Sequence, residues 1–317
     1  VSQHVQLGKV NNCSVSCLLT QDLQKWDRAD AIVFDAFYMS PVEERLLDKS
    51  KKRISQKWLF NFDFEPPIYD GRPLLKRVVQ TLDPLIDWTF TFNPRGDFHK
   101  PHWGLASHAE DATVFATNWA ENKNRILLWF SSTRCESKFK RNEIFKKLSS
   151  YLPDGSVDLF GECGKRDPCG GRGSITNPKT PKDCIRRLAR SYKFYAAFEN
   201  SRCRGYTTEK LRTGLLHGMV PIAYGGMDRS DYELIVPADS FIHVDDFTSL
   251  ENLAKFILEL DKDDAKYNAY FAWRARLHVE DRLVTASRKY CELCTELQKP
   301  QALLLRWQLI TFSDSRA

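Results

Sequence analysis

No run of eighteen apolar residues occurs anywhere in the chain, so no segment reads as a membrane-crossing helix. Val1-Ser-Gln-His4 lacks the charged and apolar regions of a signal peptide. No internal repeat is visible. Gly170-Gly-Arg-Gly173 suggests a phosphate cradle, but no Walker lysine follows and no helix starts there, which removes a P-loop. The basic excess is small, with a formal net charge of +6 and no concentrated basic stripe. That excludes a typical nucleic-acid binder and suits an anionic nucleotide ligand. Cys291-x-x-Cys294 has no second CxxC at finger spacing, which disfavours structural zinc.

What is present describes a soluble globular protein. At 317 residues, 42% hydrophobic and 28% charged, the chain is long for one core and comfortable for two domains. Nine cysteines are too many for an ordinary cytosolic enzyme, and Asn12-Cys-Ser14 is a glycosylation sequon. Together they predict an oxidising, lumenal setting. Cys13 and Cys17 lie at one end, Cys291 and Cys294 at the other, and Cys163, Cys169, Cys184 and Cys203 around the central motif. An odd cysteine must be left over if all bridges are internal, and Cys135 is the isolated candidate.

The densest information lies in residues 193–226. Phe194 to Phe198 is an apolar run of strand length, followed by a charged loop. Thr207 or Thr208 is placed to cap a helix from Glu209 to His217, which Gly218 ends. Val220 to Tyr224 reads as the next strand and Gly225-Gly226 as its turn. Strand, helix and strand form a unit whose loop and helix N–H groups make an anion site at the carboxyl edge of a parallel sheet. Lys210, in the first helical turn, opposes the macrodipole and is better explained by a bound phosphate than by helix stability.

Other elements follow from the same patterns. Ala31 to Phe37, Lys57 to Phe62, Arg125 to Phe130, Val157 to Phe160 and Ser240 to Val244 read as strands. Val42 to Ser50 and a segment starting at Arg141 read as helices, and Thr248 with Glu251 forms a capping box. The strand ending at Phe62 runs into Asp63-Phe-Glu-Pro-Pro67. A carboxylate there is either a turn acid or a catalytic group at a strand's carboxyl end.

Five motifs in order carry a resemblance: Phe198-Glu-Asn-Ser201, Tyr206-x-Thr-Glu-Lys210, Val220-Pro221, Pro237-x-x-Ser-Phe-Ile-His-Val-x-Asp-Phe247 and Tyr267-x-x-Tyr-Phe-x-Trp-Arg274. They resemble the donor-binding half of the α1,3-fucosyltransferases. The resemblance implies an α/β GT-B architecture of two Rossmann-like domains with the active site in the cleft between them. On it, residues 1–120 form the N-terminal acceptor-binding domain and 121–290 the C-terminal GDP-fucose-binding domain. Residues 291–317 pack back toward the first. It also implies inverting transfer of L-fucose from GDP-fucose to the 3-hydroxyl of N-acetylglucosamine in a glycan, either an N-glycan core or lactosamine. The alternative is a non-catalytic sugar-binding module that retains the fold.

Residue by residue, the resemblance makes Glu65 the general base, in a Phe64-Glu-Pro that has Pro66 where the family has serine. Arg141 and Lys210 neutralise the donor diphosphate, Glu209 reaches the ribose hydroxyls, and Tyr195, Asn200 and Tyr206 line the donor. Asp87-Trp-Thr-Phe-Thr-Phe92 and Asp97 match the family's Asn-Trp-Thr segment and acidic loop, while Asn93-Pro-Arg95 departs from its tyrosine-arginine pair. No metal or cofactor is expected to be required. The resembling proteins are type II Golgi membrane proteins, so an anchor is expected in the full-length protein and the catalytic part in the Golgi lumen. Cys291 and Cys294 are expected to be oxidised, with Cys13 and Cys17 as open partners.

Overall fold

A computed structural model of the chain describes residues 7–35, 52–62, 83–131, 139–165, 168–169, 183–280 and 282–299. The strands of the first part are β1 (Gly8–Lys9), β2 (Leu18–Leu19), β3 (Ala31–Asp35), β4 (Lys57–Phe62), β5 (Trp88–Thr91) and β6 (Phe98–His99). Then come β7 (Leu105–Ser107), α1 (Thr113–Ala116), β8 (Arg125–Phe130), α2 (Arg141–Ser149) and β9 (Val157–Phe160). The central region holds α3 (Cys184–Ala189), β10 (Tyr192–Arg202), α4 (Glu209–His217), β11 (Val220–Gly226), α5 (Arg229–Tyr232) and β12 (Ile242–His243). It ends with α6 (Leu250–Lys262), α7 (Asp264–Ala269), β13 (Leu277–Val279) and α8 (Arg282–Leu297).

Two units result, one of Val1–Glu65, Tyr69–Lys100 and Leu283–Ala317, the other of Pro66–Ile68 and Pro101–Arg282. The sequence reading puts these boundaries at 120 and 290. They fall earlier because β7 pairs antiparallel with β13, Leu277 opposite Ser107, so residues just past 100 are tied to the second unit.

The first unit is a parallel sheet in the order β3-β4-β5-β6. Along β5, Trp88 and Phe90 are buried while Thr89 and Thr91 are half-buried, the period-2 signature of a strand with one dry face. Tyr290 and Leu293 of α8 join Leu59, Trp88 and Phe90 in that core. Disulfides Cys13–Cys291 and Cys17–Cys294 fasten α8 to the β1–β2 ribbon, which supplies the partners the sequence left open.

The second unit is a five-stranded parallel sheet in the order β12-β11-β10-β8-β9. Its central strand, β10, is buried over its first eight residues, as expected of a strand covered on both faces. Phe194, Ala196 and Phe198 face one core with Trp129 of β8, Phe145 of α2 and Ile257 of α6. Tyr195 and Ala197 face the other, with Leu211 and Leu215 of α4 and Ile185 of α3. Each of the buried Phe, Leu and Ile side chains among them contributes on the order of 2 kcal/mol. Both units therefore carry the α/β, Rossmann-like parallel sheets of the GT-B class.

Several boundaries differ from the sequence reading. β10 runs on through Arg202, so Glu199 and Asn200 are strand residues and not part of a loop. Gly225 and Gly226 end β11 in the left-handed region, at φ 76° and 65°. Ser249, not Thr248, caps α6, accepting from Asn252 N–H at 3.1 Å. β12 shortens to two residues because a 3-10 turn starts at Val244. The Val42–Ser50 helix lies outside the described residues.

Candidate functional site

In the five-stranded sheet the chain leaves β8 toward β9 and leaves β10 in the opposite direction, toward β11 and β12. The crevice outside the carboxyl ends of β8 and β10 is therefore a topological switch point, where open parallel sheets bind ligands. Two helix starts converge there. α2 begins at Arg141 and α4 at Glu209.

The Arg141 side chain is buried, donates from Nη1 to the Phe198 carbonyl at 3.2 Å, and lies 5.6 Å from the Trp129 ring centroid. Lys210 is held more tightly. Its Nζ lies 3.0 Å from Glu199 Oε2 and donates to Thr208 Oγ1 at 2.8 Å, with Glu209 Oε1 at 3.4 Å. Glu199 is 1% exposed and also accepts from the Thr208 N–H at 2.7 Å and the Thr208 hydroxyl at 2.9 Å. Thr208 occupies the N-cap position, yet its hydroxyl goes to Glu199 and makes no cap bond to α4. Trp103, fully buried, donates from Nε1 to the Thr208 carbonyl at 2.9 Å and fixes the same turn from the other side.

Electrostatics set the charges. Burial alone lowers the Lys210 pKa, but Glu199 and Glu209 outweigh it and hold the ammonium above its ordinary value. Burial pushes the Glu209 carboxyl up, but Lys210 and then His102 outweigh it and bring the group down to about 2. Tyr195 sits in the core beside α4, where burial and the carboxylates of Glu209 and Glu199 keep its phenol protonated. Tyr206 is buried in the loop before α4, and Asn200 is half-buried near the end of β10. Glu65 lies outside the described residues.

Glu199, Trp103 and Thr208 are the site residues that sequence reasoning missed. The signal for Glu199 was its place between Phe198 and Lys210, but an acid after an apolar run reads as loop. Gly226 also matters. A Cβ built there would fall 2.3 Å from the Tyr206 carbonyl and 3.2 Å from Glu199 Cγ, so only glycine lets the 203–208 loop lie over the end of β11.

The neighbouring acids are engaged in ion pairs. Asp245 pairs with Arg202, and Asp246 with Arg229. Asp261 and Asp263 have Asp-x-Asp spacing, but Asp261 pairs with Lys193 at 3.2 Å and Asp263 caps α7. Among the described residues no group of three or more His, Cys, Asp or Glu could hold a metal. His243 Nδ1 accepts from Asp245 N–H at 3.2 Å, which leaves Nε2–H to donate to the Met227 carbonyl at 3.1 Å, a structural role.

Cysteine usage departs from expectation. Cys169 pairs with Cys184, and Cys163 is also oxidised. The free thiol among the described residues is Cys203, just past β10, whose pKa burial raises to about 11. Cys135 lies outside the described residues. Of the four cysteines around the donor motif, Cys203 is thus the one left as a thiol.

The chain was compared with known proteins. Residues 120–307, more than half of it, match the C-terminal model of glycosyltransferase family 10 (fucosyltransferase). It is 30% identical over 298 residues to 3-galactosyl-N-acetylglucosaminide 4-alpha-L-fucosyltransferase FUT3 of Pongo pygmaeus, covering 94% of this chain and 72% of the relative. It is 31% identical over 278 residues to human alpha-(1,3)-fucosyltransferase 4, covering 86% of this chain and 48% of that protein. A crystal structure of an alpha1,3-fucosyltransferase with GDP-fucose aligns at 20% identity with a TM-score of 0.40, over 59% of this chain and 51% of its own. These relatives are transferases, and the non-catalytic sugar-binding reading finds no support among them. With a matching family model over the whole donor-type sheet and relatives along nearly its full length, the chain belongs to glycosyltransferase family 10, the fucosyltransferases.

Proposed function

We propose that this fucosyltransferase moves L-fucose from GDP-fucose to the 3-hydroxyl of N-acetylglucosamine in a glycan, with inversion at the anomeric carbon. The observation that carries the donor half is the Lys210–Glu199–Thr208 cluster at the start of α4, at the switch point of a parallel sheet. Helix N–H groups and a fixed ammonium there suit a diphosphate.

The acceptor oxygen attacks C1 of fucose as the bond from C1 to the diphosphate oxygen breaks, and the hydroxyl proton passes to Glu65 acting as general base. GDP leaves with the bonding electron pair. Lys210 and Arg141 offset the charge that develops on it, a role whose loss typically costs on the order of 3 kcal/mol in the barrier. Glu209 reaches the ribose hydroxyls, and Tyr195, Asn200 and Tyr206 line the donor. No metal is required in this scheme, since two cations of the chain take the place of one at the diphosphate. The disulfides support an oxidising compartment, and we place the enzyme in the Golgi lumen, anchored as a type II membrane protein in its full-length form.

The test is incubation with GDP-fucose in EDTA together with two acceptors, an N-glycopeptide with a trimmed chitobiose core and free N-acetyllactosamine, each read by mass spectrometry. The expected result is one added fucose on one of them, and the modified acceptor assigns the enzyme as core-type or Lewis-type. Absence of the mass increase on both, with GDP bound, overturns the acceptor reading.

A further inference from the structure

We propose that Glu199 is a positioning residue for the donor diphosphate, the buried counter-ion that sets the direction of the Lys210 ammonium and keeps the start of α4 open. This rests on the donor reading above. A carboxylate taken fully out of water costs several kcal/mol unless it is paired, and a well-packed apolar residue in its place is often neutral or stabilising. Stability of the sheet therefore does not explain an acid at this point of β10, where the preceding residues are apolar and buried.

The geometry does explain it. An ammonium has three donors, and those of Lys210 face three acceptors. Two are short and buried: the Glu199 carboxylate at 3.0 Å and the Thr208 hydroxyl at 2.8 Å, the latter itself bonded to Glu199. The third, Glu209, is at 3.4 Å on a side chain 42% exposed, and it is the one a phosphate oxygen displaces. Glu199 and Thr208 thus point one N–H of Lys210 toward the ligand, and Glu209 is released toward the ribose it is assigned. At the same time Glu199 draws the Thr208 hydroxyl away from its N-cap position, so that Thr208 makes no cap bond to α4.

The charged groups facing Lys210 are Glu199 from β10, Glu209 from its own helix and Arg141 from α2. Burial and Arg141 lower its pKa, and Glu199 and Glu209 raise it. Burial raises the Glu199 pKa, against which Lys210 and the Thr208 N–H hold its charge; removing that charge moves the Lys210 pKa downward, so anion binding that needs the Lys210 proton is lost at a lower pH than in the parent.

GDP affinity is measured by calorimetry from neutral to alkaline pH for the parent protein and for Glu199→Gln, Glu199→Asp and Lys210→Ala. Glutamine keeps an acceptor for Thr208 but not the charge. The ratio of Kd for Glu199→Gln to that of the parent is expected to grow about tenfold between about pH 7 and pH 9.5, with Glu199→Asp restoring most of the parent profile. Titration of the guanine base is common to all variants and cancels in the ratio. A ratio that stays flat with pH overturns the proposal, as does an aspartate variant that behaves like glutamine. If Lys210→Ala weakens GDP binding while the Glu199→Gln ratio stays flat, the donor reading stands and this inference falls. If the parent protein binds no GDP, both fall.

Discussion

Lys210 occupies the turn of a helix where a cation works against the macrodipole, and that misplacement made it legible as a candidate for phosphate binding. Its partner Glu199 was not legible. The ten residues between them in sequence close into a 3.0 Å ion pair only because β10 and α4 return the chain to the same edge. Lys210→Ala is expected to weaken GDP binding at least about tenfold by calorimetry, the loss of one charge-assisted contact to a phosphate. Glu65→Gln is expected to abolish transfer while GDP affinity stays within about twofold, because the base acts on the acceptor. Turnover by that variant comparable to the parent's removes Glu65 from its role.

Strands β4, β8 and β9 and helices α2 and α4 begin where the sequence places them, because each is bounded by local chemistry such as an apolar run or Gly218 in the left-handed C-cap, at φ 71°. What failed was the reading of segments whose ends are set from afar. Lys123 is an example with no sequence signal at all. Its Nζ donates to three carbonyls, Ala189 at 3.0 Å, Tyr192 at 2.9 Å and Gly218 at 2.5 Å, joining the end of α3, the start of β10 and the C-cap of α4. Burial lowers its pKa to about 7, with Arg274 and Lys193 adding to the effect. Lys123→Met leaves three carbonyls without their donor and is expected to cost about 2 kcal/mol, read as a lower urea midpoint. Gly226→Ala is expected to act on the site instead. Its Cβ collides with the Tyr206 carbonyl, so GDP binding falls while far-UV circular dichroism is unchanged.

For the whole molecule, pH dependence follows from two histidines, one in each unit. Burial, with Lys289, lowers the His99 pKa to about 4. Burial, with Arg212, Arg186 and Arg274, does the same to His217. Each folded value lies below the ordinary 6.5, so the unfolded chain binds more protons in between. Their contribution is fully present above about pH 6.5 and is lost as pH falls through about 4. The melting temperature is expected to drop across that interval, and a variant with both histidines replaced by asparagine is expected to flatten it.

The pairing of Cys13 with Cys291 and of Cys17 with Cys294 also dictates an order of biosynthesis. A ribosome delivers β1 to β6 first, but the helix that closes their core arrives only after the entire second sheet has been made. The unit that is begun first is therefore the last to be finished, and its early strands wait through the synthesis of some 180 intervening residues. Asn12, exposed in its turn, stands directly before Cys13, whose bridge cannot form until Cys291 has been made. A sugar added to that sequon before residue 291 is made would precede the bridge next door.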